Sequence, residues 1–487
     1  MAFTNNAIQF EIIANGLPTN GGGFRFNAVS GVDYTRSVSP YLSFSDLQIH
    51  PVNNTWVRSA ANPITTDCNG NIINITSGAG WTTGIYEIQT ITLSGYAVLS
   101  SSPAATNTSG GNGNLGGALN SLGTAMGFNG LPTGSIFWLN GSSGNFFHGP
   151  VVLGLSITPS ASTLLPNRII GYTNSRGDTG IARIVPSGIT QGTSGYLNFT
   201  GGGWDIRNIF VDQSSGIGTF GTNCSLVKVN TARMEFIRCK LYTGNTNAPT
   251  YGLDIKGAQT VVTECEFSGG FSTAQANLQS VSTAFYRSIF YNGIRGITAT
   301  TAPLIANKCI FWGLTTAGIN LVSPFDVLSV VGNIFYACQQ GIFNNNPPFF
   351  YGHIKDNLFI NNTQYGMKAS SANGRYANYN AEGNFYYGNT SGPRFGIDDG
   401  DGNFSNIWDL NSGYLYSRLY DVNLQGTPFI NGDGGNFALN DISLQGGLVR
   451  SSGDLSVMPI FFAPSYADGG PFQTRNIIRY VGMGGGF

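Results

Sequence analysis

A short phrase recurs along residues 204–387 and constrains the fold more than any other feature of the chain. Each copy ends in a large apolar anchor, and successive anchors are 21 to 31 residues apart. Two short strands per unit of about 24 residues cannot bury a face alone, so the units must stack on one another. The phrases are Asn208-Ile209-Phe210, Cys239-Lys240-Leu241, Cys265-Glu266-Phe267, Ser288-Ile289-Phe290, Cys309-Ile310-Phe311, Asn333-Ile334-Phe335, Asn357-Leu358-Phe359 and Gly383-Asn384-Phe385.

The repeat predicts an all-β protein whose core is a parallel β-helix. In that fold each unit makes one coil about 4.8 Å above the previous coil, so equivalent residues form columns. The residue two before each anchor shares the face of the anchor and is small or polar in every copy, as a tight inward corner requires. Leucine-rich repeats and β-propellers are the runners-up. The first need a Leu-x-x-Leu-x-Leu pattern, which is absent, and the second need longer repeats.

Composition argues against several function classes. Only 10% of the 487 residues are charged and the formal net charge is -1, without the clustered basic face that a nucleic-acid surface needs. The sequence shows no zinc-ligand spacing and no pattern that indicates a cofactor. Three of the six cysteines, Cys239, Cys265 and Cys309, occupy one repeat position, so we expect free buried thiols rather than disulfides.

The start of the sequence and its hydropathy bear on location. Residues 1–6 hold no basic region and no apolar run follows them, so we expect no secretory signal peptide. No stretch reaches the roughly 18 apolar residues of a membrane span, so we expect no membrane insertion. If the protein works outside a cell, it must leave the cytoplasm by another route, such as release inside an assembled particle.

Strand and turn signals divide the chain into four parts. The first part holds short strand patterns that do not follow the 24-residue period, and it predicts a small antiparallel β domain. A capping helix is expected next, because Leu115, Ala118, Leu119 and Leu122 share one helical face. The expected parts are an N-terminal β domain at residues 1–113, a linker and capping helix at 114–133, the parallel β-helix at 134–404, and a C-terminal segment with a last coil at 405–487.

Three phrases precede the coils in a recognisable order: Gly116-Gly117-Ala118-Leu119, Ile169-Ile170-Gly171-Tyr172 and Arg176-Gly177-Asp178. With the Asn-Ile-Phe coils, they resemble the pectate-lyase-like right-handed β-helix proteins carried by tailed bacteriophages. The resemblance covers roughly residues 80–440. It implies a right-handed β-helix in a virion protein, such as a tail spike, tail fibre or capsid-surface protein, and these proteins are often trimeric.

Carboxylates decide whether such a protein can cleave saccharides. Hydrolysis needs a pair of carboxyl groups, and lyase chemistry needs a Ca²⁺ site with a basic residue. The candidates are Asp254, Glu264 and Glu266, the only carboxylates close together on neighbouring predicted strands. Glu266 stands where other copies carry Ile, so we expect it to point outward and to form a solvated pair with Glu264. The sequence therefore favours a protein that is not an enzyme.

Two further motifs have plainer interpretations. Asp399, Asp401 and Asn403 resemble the start of a calcium loop, but the Glu expected at the twelfth position is missing. We therefore expect a solvated turn there rather than a metal site. Arg176-Gly177-Asp178 spells an adhesion tripeptide, for which we expect a tight turn with a local ion pair.

An apolar stripe is predicted on the outer face of the β-helix. The anchors point inward, so the residues on either side of each anchor point outward. Monomers rarely leave such a patch in water. Three covers are open: a neighbouring copy in a three-fold bundle, which is favoured, a glycan on the aromatic rings, or residues 405–475 of the same chain. The stripe consists of Ile289, Tyr291, Ile310, Trp312, Ile334, Tyr336 and Leu358.

Together these patterns favour a structural or host-recognition protein of a phage particle, with the β-helix as a rigid spacer or adhesin. We expect a homo-oligomer, with a trimer favoured, that contacts other virion proteins through its N-terminal domain and binds a host surface glycan. The alternative from a different class is a polysaccharide depolymerase, either a glycoside hydrolase or a lyase.

Overall fold

The computed structural model describes residues 7–126, 134–148, 151–153, 166–190, 195–200, 203–214, 218–230, 233–244, 248–257, 259–279, 282–300, 303–322, 328–345, 352–369, 379–395, 422–443, 445–446 and 449. The chain divides into two compact units, Met1–Asn247 and Ala248–Phe487. Strands dominate both units. Helical structure in the described ranges consists of the α-helix Leu122–Met126, the 3₁₀ turns Thr66–Cys68 and Gly141–Ser143, and the helical residues Gly446 and Val449.

The second unit is a parallel β-helix with three sheets. Each strand pairs in parallel with the strand one coil later. One sheet contains Thr260–Thr263, Thr283–Tyr286, Leu304–Asn307, Leu328–Val331, Gly352–Lys355 and Tyr379–Glu382. The next contains Glu266–Gly269, Ile289–Tyr291, Ile310–Trp312, Ile334–Tyr336, Leu358–Ile360, Phe385–Tyr387 and Val422–Asn423. The third contains Tyr251–Ile255, Ala274–Leu278, Arg295–Ala299, Ala317–Leu321, Gln340–Asn344, Tyr365–Ala369 and Gly392–Phe395.

The apolar anchors form one column of rings inside this unit. Adjacent ring centroids are 4.7 Å apart at the start of the column and 5.2 Å apart at its end, and no adjacent pair is tilted by more than 11°. The spacing matches the distance between neighbouring strands, so each coil adds one ring to the stack. The predicted columnar repeat is therefore confirmed. The stacked rings are Phe267, Phe290, Phe311, Phe335, Phe359 and Tyr386.

A second column, made of amides, lines the inward corner two residues before the anchors. The side-chain Nδ2 of Asn333 donates to Oδ1 of Asn357 at 2.9 Å, and Nδ2 of Asn357 donates to Oδ1 of Asn384 at 3.0 Å. Asn333 Nδ2 also reaches the Ala306 carbonyl at 2.9 Å. Cys309 lies in the same column, and its backbone N–H donates to Oδ1 of Asn333 at 2.8 Å. All six cysteines are free and buried, as the repeat position predicts.

Two of the predicted anchors were placed one residue too early. Phe385 pairs with Leu358 on the outer face, and Tyr386 takes the inward position opposite Phe359. Phe210 likewise pairs with Lys240 rather than with Leu241. A one-residue shift in a strand moves a side chain to the opposite face, which explains both errors.

Backbone conformation shows where the true register lies. Each coil turns its corner before the inward column through a residue with positive φ. At Glu264, Arg287, Lys308 and Gly332 the backbone N–H of this residue donates to a carbonyl on the next coil. Gly383 has φ of 69° and belongs to this corner, so the following Asn384 begins the phrase. Non-glycine residues in this conformation are uncommon, and the repeated interstrand hydrogen bond stabilises them. The corner residues include Glu264, Arg287, Lys308, Gly332, Asp356 and Gly383.

The first unit combines coils of the same kind with a closed barrel. Its first sheet contains Gly23–Arg25, Ile8–Ile12, Ile136–Asn140, Asn167–Tyr172, Trp204–Arg207 and Met234–Ile237, and its second contains Phe146–His148, Ala182–Pro186, Ile209–Gln213 and Lys240–Thr243. Its third sheet contains Val151–Leu153, Gly195–Phe199 and Ser225–Val229, and a two-stranded sheet pairs Gly188–Thr190 with Gly218–Phe220. The barrel strands, in order around it, are Leu42–Ile49, Trp56–Arg58, Ala97–Leu99, Gly84–Ile91, Ile72–Ser77 and Ser109–Leu115. This antiparallel barrel is the small N-terminal β domain that the sequence predicted.

Three details of the first unit differ from the sequence prediction. Ile8–Ile12 pairs in parallel with Ile136–Asn140 and so belongs to the coils, although it precedes the barrel in the chain. Leu115 ends the last barrel strand, and the helix is confined to Leu122–Met126. Gly116 and Gly117 have φ near 70° and interrupt the expected helix between these two elements.

We expect truncation of one ring in the middle of the stack to be costly. Phe335→Ala removes a fully buried ring that contacts two stacked neighbours, so the free energy of unfolding should fall by about 3–5 kcal/mol. Ile305→Ala, on the partly exposed outer face of the same unit, is the control and should cost less than about 1.5 kcal/mol. Denaturant unfolding monitored by fluorescence measures both. Equal losses of unfolding free energy in the two variants would contradict a stabilising contribution concentrated in the ring column.

Candidate functional site

The outer face of the second unit carries the predicted stripe as two columns. Ile289, Ile310 and Ile334 lie opposite one another on successive strands. Tyr291, Trp312 and Tyr336 form the neighbouring column, two residues further along each strand. Parallel pairing thus produces the continuous apolar surface that the repeat implied.

The C-terminal strap, residues 424–449 as far as they are described, covers this surface. The ring of Phe437 lies 5.7 Å from that of Trp312 and 5.4 Å from that of Tyr336, and the ring of Phe429 lies 5.8 Å from that of Tyr336. Phe429 and Phe437 contact each other at 5.2 Å. The strap hairpin consists of Phe429–Asn431 and Asn436–Leu439, and the covered cluster includes Ile310, Ile334, Tyr336, Leu358, Ile360, Phe385, Leu424, Phe429, Phe437 and Val449.

A hydrogen bond fixes the strap at its turn. The Tyr336 hydroxyl donates to Oδ1 of Asp433 at 2.5 Å. Burial, together with this bond, raises the pKa of Tyr336 to about 12, so the hydroxyl keeps its proton at neutral pH. Gly432 lies so close that a Cβ there would come within 2.7 Å of the Tyr336 ring. The strap is therefore fitted to this ring in both shape and polarity.

The covered stripe corrects the favoured interpretation of the sequence. Ile310, Ile334, Tyr336 and Leu358 are at most 2% exposed within a single chain, and Tyr291 is 2% exposed. These side chains are not open to a second copy or to a glycan. The third alternative, cover by the chain's own C-terminal segment, agrees with the structure. Ile289 and Trp312 are partly exposed at the margin of the same cluster.

The carboxylate candidates are not assembled into a pair. Glu264 occupies a corner with φ of 55°, and its Oε1 lies 3.0 Å from Nη2 of Arg287. Asp254 is on a different sheet, where its Oδ1 accepts from Nδ2 of Asn277 at 2.7 Å and Lys256 lies 3.8 Å from its Oδ2. The structure gives these two carboxyl groups separate partners, and each is engaged in an interaction within the fold.

Glu266 lies on the outer face, but it is not solvated. It is 2% exposed, and its Oε1 accepts from the Tyr291 hydroxyl at 2.6 Å. The expectation of a solvated pair with Glu264 was wrong, because the Glu266 side chain is itself buried and bonds to Tyr291 on the next coil. It is a buried acceptor for Tyr291 at one end of the stripe.

The calcium-like loop cannot be placed. Asp399, Asp401 and Asn403 lie outside the described residues. Within the described ranges, no three His, Cys, Asp or Glu side chains are grouped as metal ligands would be. The same ranges contain no helix of the length and apolarity that crossing a bilayer requires.

The adhesion tripeptide holds a long-range ion network. Asp178 forms the expected tight turn, since its carboxylate accepts from the backbone N–H groups of Asn174, Ser175 and Gly180. Arg176 does not pair with Asp178. Its guanidinium instead contacts Glu11 and Asp33, so the expectation of a local ion pair was wrong.

Two charged side chains of this network, Arg176 and Glu11, are buried, with exposed fractions of 8% and 0%. Arg176 Nε donates to Glu11 Oε2 at 2.7 Å, and its Nη1 donates to Asp33 Oδ2 at 2.6 Å. Glu11 also accepts from the Tyr172 hydroxyl and is fully buried. Burial raises the pKa of Glu11 above its ordinary value, and the charge of Arg176 opposes that rise. The residues come from positions 11 to 176, so no local sequence signal could have revealed the network.

Comparison with known proteins supports the fold. The family described as the right-handed β-helix region matches residues 224–386. A solved structure, the catalytic unit of a thermostable GH87 α-1,3-glucanase from Streptomyces thermodiastaticus, is similar over 83% of this chain and 93% of that one, with 10% identity and a TM-score of 0.24. At that score the similarity carries no argument about fold or activity, and the support comes from the family match. No curated protein matches the chain. The coils are thus those of a right-handed parallel β-helix.

We expect the strap to detach when its central ring is removed. Phe429→Ala deletes a side chain that is 2% exposed, so protection of residues 422–449 from hydrogen exchange should fall sharply while the ring column keeps its protection. The adjacent Ile430→Ala removes a side chain that is 62% exposed and should change neither. Loss of protection in both variants, or in neither, would contradict the packing described.

Removal of Arg176 should leave a buried carboxylate without its counter-charge. Arg176→Met is expected to reduce the free energy of unfolding by about 3–5 kcal/mol at pH 7. The loss should be smaller near pH 4, because the raised pKa of Glu11 lets the folded variant keep a proton that the unfolded chain releases as the pH rises.

Arg168→Met is the matched control for this measurement. The Arg168 side chain is 41% exposed and lies 3.9 Å from Asp205. Its removal should cost less than about 1 kcal/mol. The free energy of unfolding of both variants is measured at pH 7 and near pH 4. If the Arg176 variant lost no more stability than the Arg168 variant, the buried network would be refuted.

Proposed function

We propose that this chain is a structural or host-recognition protein of a bacteriophage particle, in which the β-helix acts as a rigid spacer. The observation that carries the proposal is the pair of columns in the second unit. Each coil adds one ring to the stack and one small polar side chain to the inward corner, so bending would separate many contacts at once. Such a construction suits a protein that must hold a fixed length between two attachment points.

The particle itself is proposed from the resemblance of the sequence to phage-borne β-helix proteins. The closed barrel at Leu42–Leu115 would serve as the attachment or assembly module. We also propose a trimer of three times 51.6 kDa on that resemblance alone, since the stripe is covered by the strap within one chain. Location in the virion is part of the same proposal.

The state of the candidate carboxylates supports a non-catalytic role. Asp254 and Glu266 are at most 2% exposed and accept hydrogen bonds from neighbouring side chains, and Glu264 pairs with Arg287. Retaining or inverting hydrolysis requires two carboxyl groups that face a common cleft and reach the sugar. Each of the three carboxyl groups instead has a partner within the fold. A polysaccharide depolymerase is therefore the alternative outcome of the test rather than a second proposal.

Two assays of the full-length chain test the proposal. Gold-labelled antibodies against the purified protein should decorate assembled phage particles that encode it. The same protein, incubated with capsular polysaccharide and lipopolysaccharide from the bacterial host, should release neither new reducing ends nor unsaturated products. Particles without label would overturn the virion role, and released oligosaccharides would replace the spacer with a depolymerase.

A further inference from the structure

The barrel of the first unit presents a compact aromatic group on its outer surface. Val57 is fully buried inside the barrel, so Trp56 and Arg58 on either side of it point outward. Strand pairing places Gln48 directly opposite Arg58 on the neighbouring strand. An indole, a guanidinium and an amide therefore share one patch of the barrel wall.

Two further rings complete this patch. The His50 ring centroid lies 5.0 Å from that of Trp56 and 4.9 Å from that of Tyr96, and both contacts are edge-on. Nδ1 of His50 accepts from the backbone N–H groups of Val52 and Asn53 at 3.1 and 3.2 Å, which fixes the orientation of the ring. Tyr96 is 7% exposed, whereas His50 and Trp56 remain partly exposed. The group is thus a supported platform with two accessible rings.

Arg58 adds a positive charge without an opposing carboxylate. Its guanidinium carbon lies 4.9 Å from the centroid of Tyr96, and Nη2 donates a long bond of 3.4 Å to Gln48 Oε1. Asp46 is the acid nearest in the strand, but its carboxylate is occupied by Ser59 and by the backbone N–H groups of Ala60 and Ala61. No ion pair of Arg58 occurs among the described residues.

We propose that His50, Trp56, Arg58 and Tyr96 form a binding site for an acidic saccharide. The aromatic faces contact the apolar face of a sugar ring, and two N–H groups of Arg58 pair with a sugar carboxylate. The planar guanidinium lies over the Tyr96 ring, and its fork of N–H groups matches a carboxylate in such a bidentate contact. Gln48 lies beside it as a donor for a sugar hydroxyl.

Charge and polarity favour this occupant over an apolar one. A purely hydrophobic partner would desolvate the unpaired Arg58 guanidinium without compensation, which is unfavourable. A neutral saccharide would use the rings but leave the charge unsatisfied. A carboxylated polymer satisfies both, and its repeated carboxylates add electrostatic attraction that falls with salt.

The inference deepens the proposed host-recognition role and rests on it, but it places glycan binding on the barrel rather than on the covered stripe. The two fail separately. If the chain is found in phage particles but binds no acidic polymer, only the saccharide site is overturned. A chain that binds the polymer but is absent from particles would overturn only the virion role.

Affinity electrophoresis of the full-length chain in gels containing polygalacturonate or dextran tests the site. Polygalacturonate should retard the protein, less so at higher salt, and dextran should not. Trp56→Ala and Arg58→Gln should each weaken retardation by about tenfold in apparent dissociation constant, and Arg58→Lys should recover part of the loss.

Two controls separate local from general effects. Phe26→Ala removes a 55% exposed ring, and Arg168→Gln removes a guanidinium from a 41% exposed side chain, so neither should change retardation. Unchanged thermal midpoints would show that each variant is folded. Absence of retardation by polygalacturonate, or equal retardation of all variants, would overturn the site, as would equal retardation by dextran.

Discussion

Lateral pairing of parallel strands is the constraint on which the second unit depends. Because every strand bonds to its equivalent one coil away, each side chain must tolerate a like neighbour on both sides. Phe311 and Phe335 satisfy this by stacking their rings 4.8 Å apart. Asn333 satisfies it by donating from its side-chain amide to Asn357, which donates in turn to Asn384. Charged residues do not fit such an interior, which accounts for the low charge content of the chain.

In the second unit, the columns leave neither the interior nor the outer stripe open to a ligand. The interior is occupied by rings and small polar side chains, and the outer stripe is covered by the C-terminal strap. Several of the buried carboxylates, such as Glu11 and Glu266, are bound within the fold. The barrel, which has no repeat to satisfy, is free to present an aromatic patch with an unpaired Arg58. The saccharide recognition proposed for the barrel and the spacer role proposed for the coils would therefore belong to different parts of one chain.

The sequence predicted what is repeated, because repetition reports the environment of each position many times over. Phe290, Phe311, Phe335 and Phe359 were placed correctly for that reason. Phe385 was misplaced because alignment by the aromatic letter ignored the corner, whereas the positive φ of Gly383 sets the register. Contacts made once could not be predicted. The Tyr336–Asp433 bond joins residues 97 positions apart, and the contacts of Arg176 with Glu11 and Asp33 span more than 140.

The central claim, one coil per repeat, is tested most directly by distances between spin labels in one outward column. Val261, Ser329 and His353 occupy the same row, three and four coils apart, and all six native thiols are buried. The labelled backbone positions 261 and 329 should be separated by about 14 Å, and positions 261 and 353 by about 19 Å. The label linkers add a similar offset to both distances. Moving the second label from position 329 to position 353, 24 residues along the chain, should lengthen the label-to-label distance by one strand spacing. An unchanged distance, or an increase several times larger, would contradict the columns.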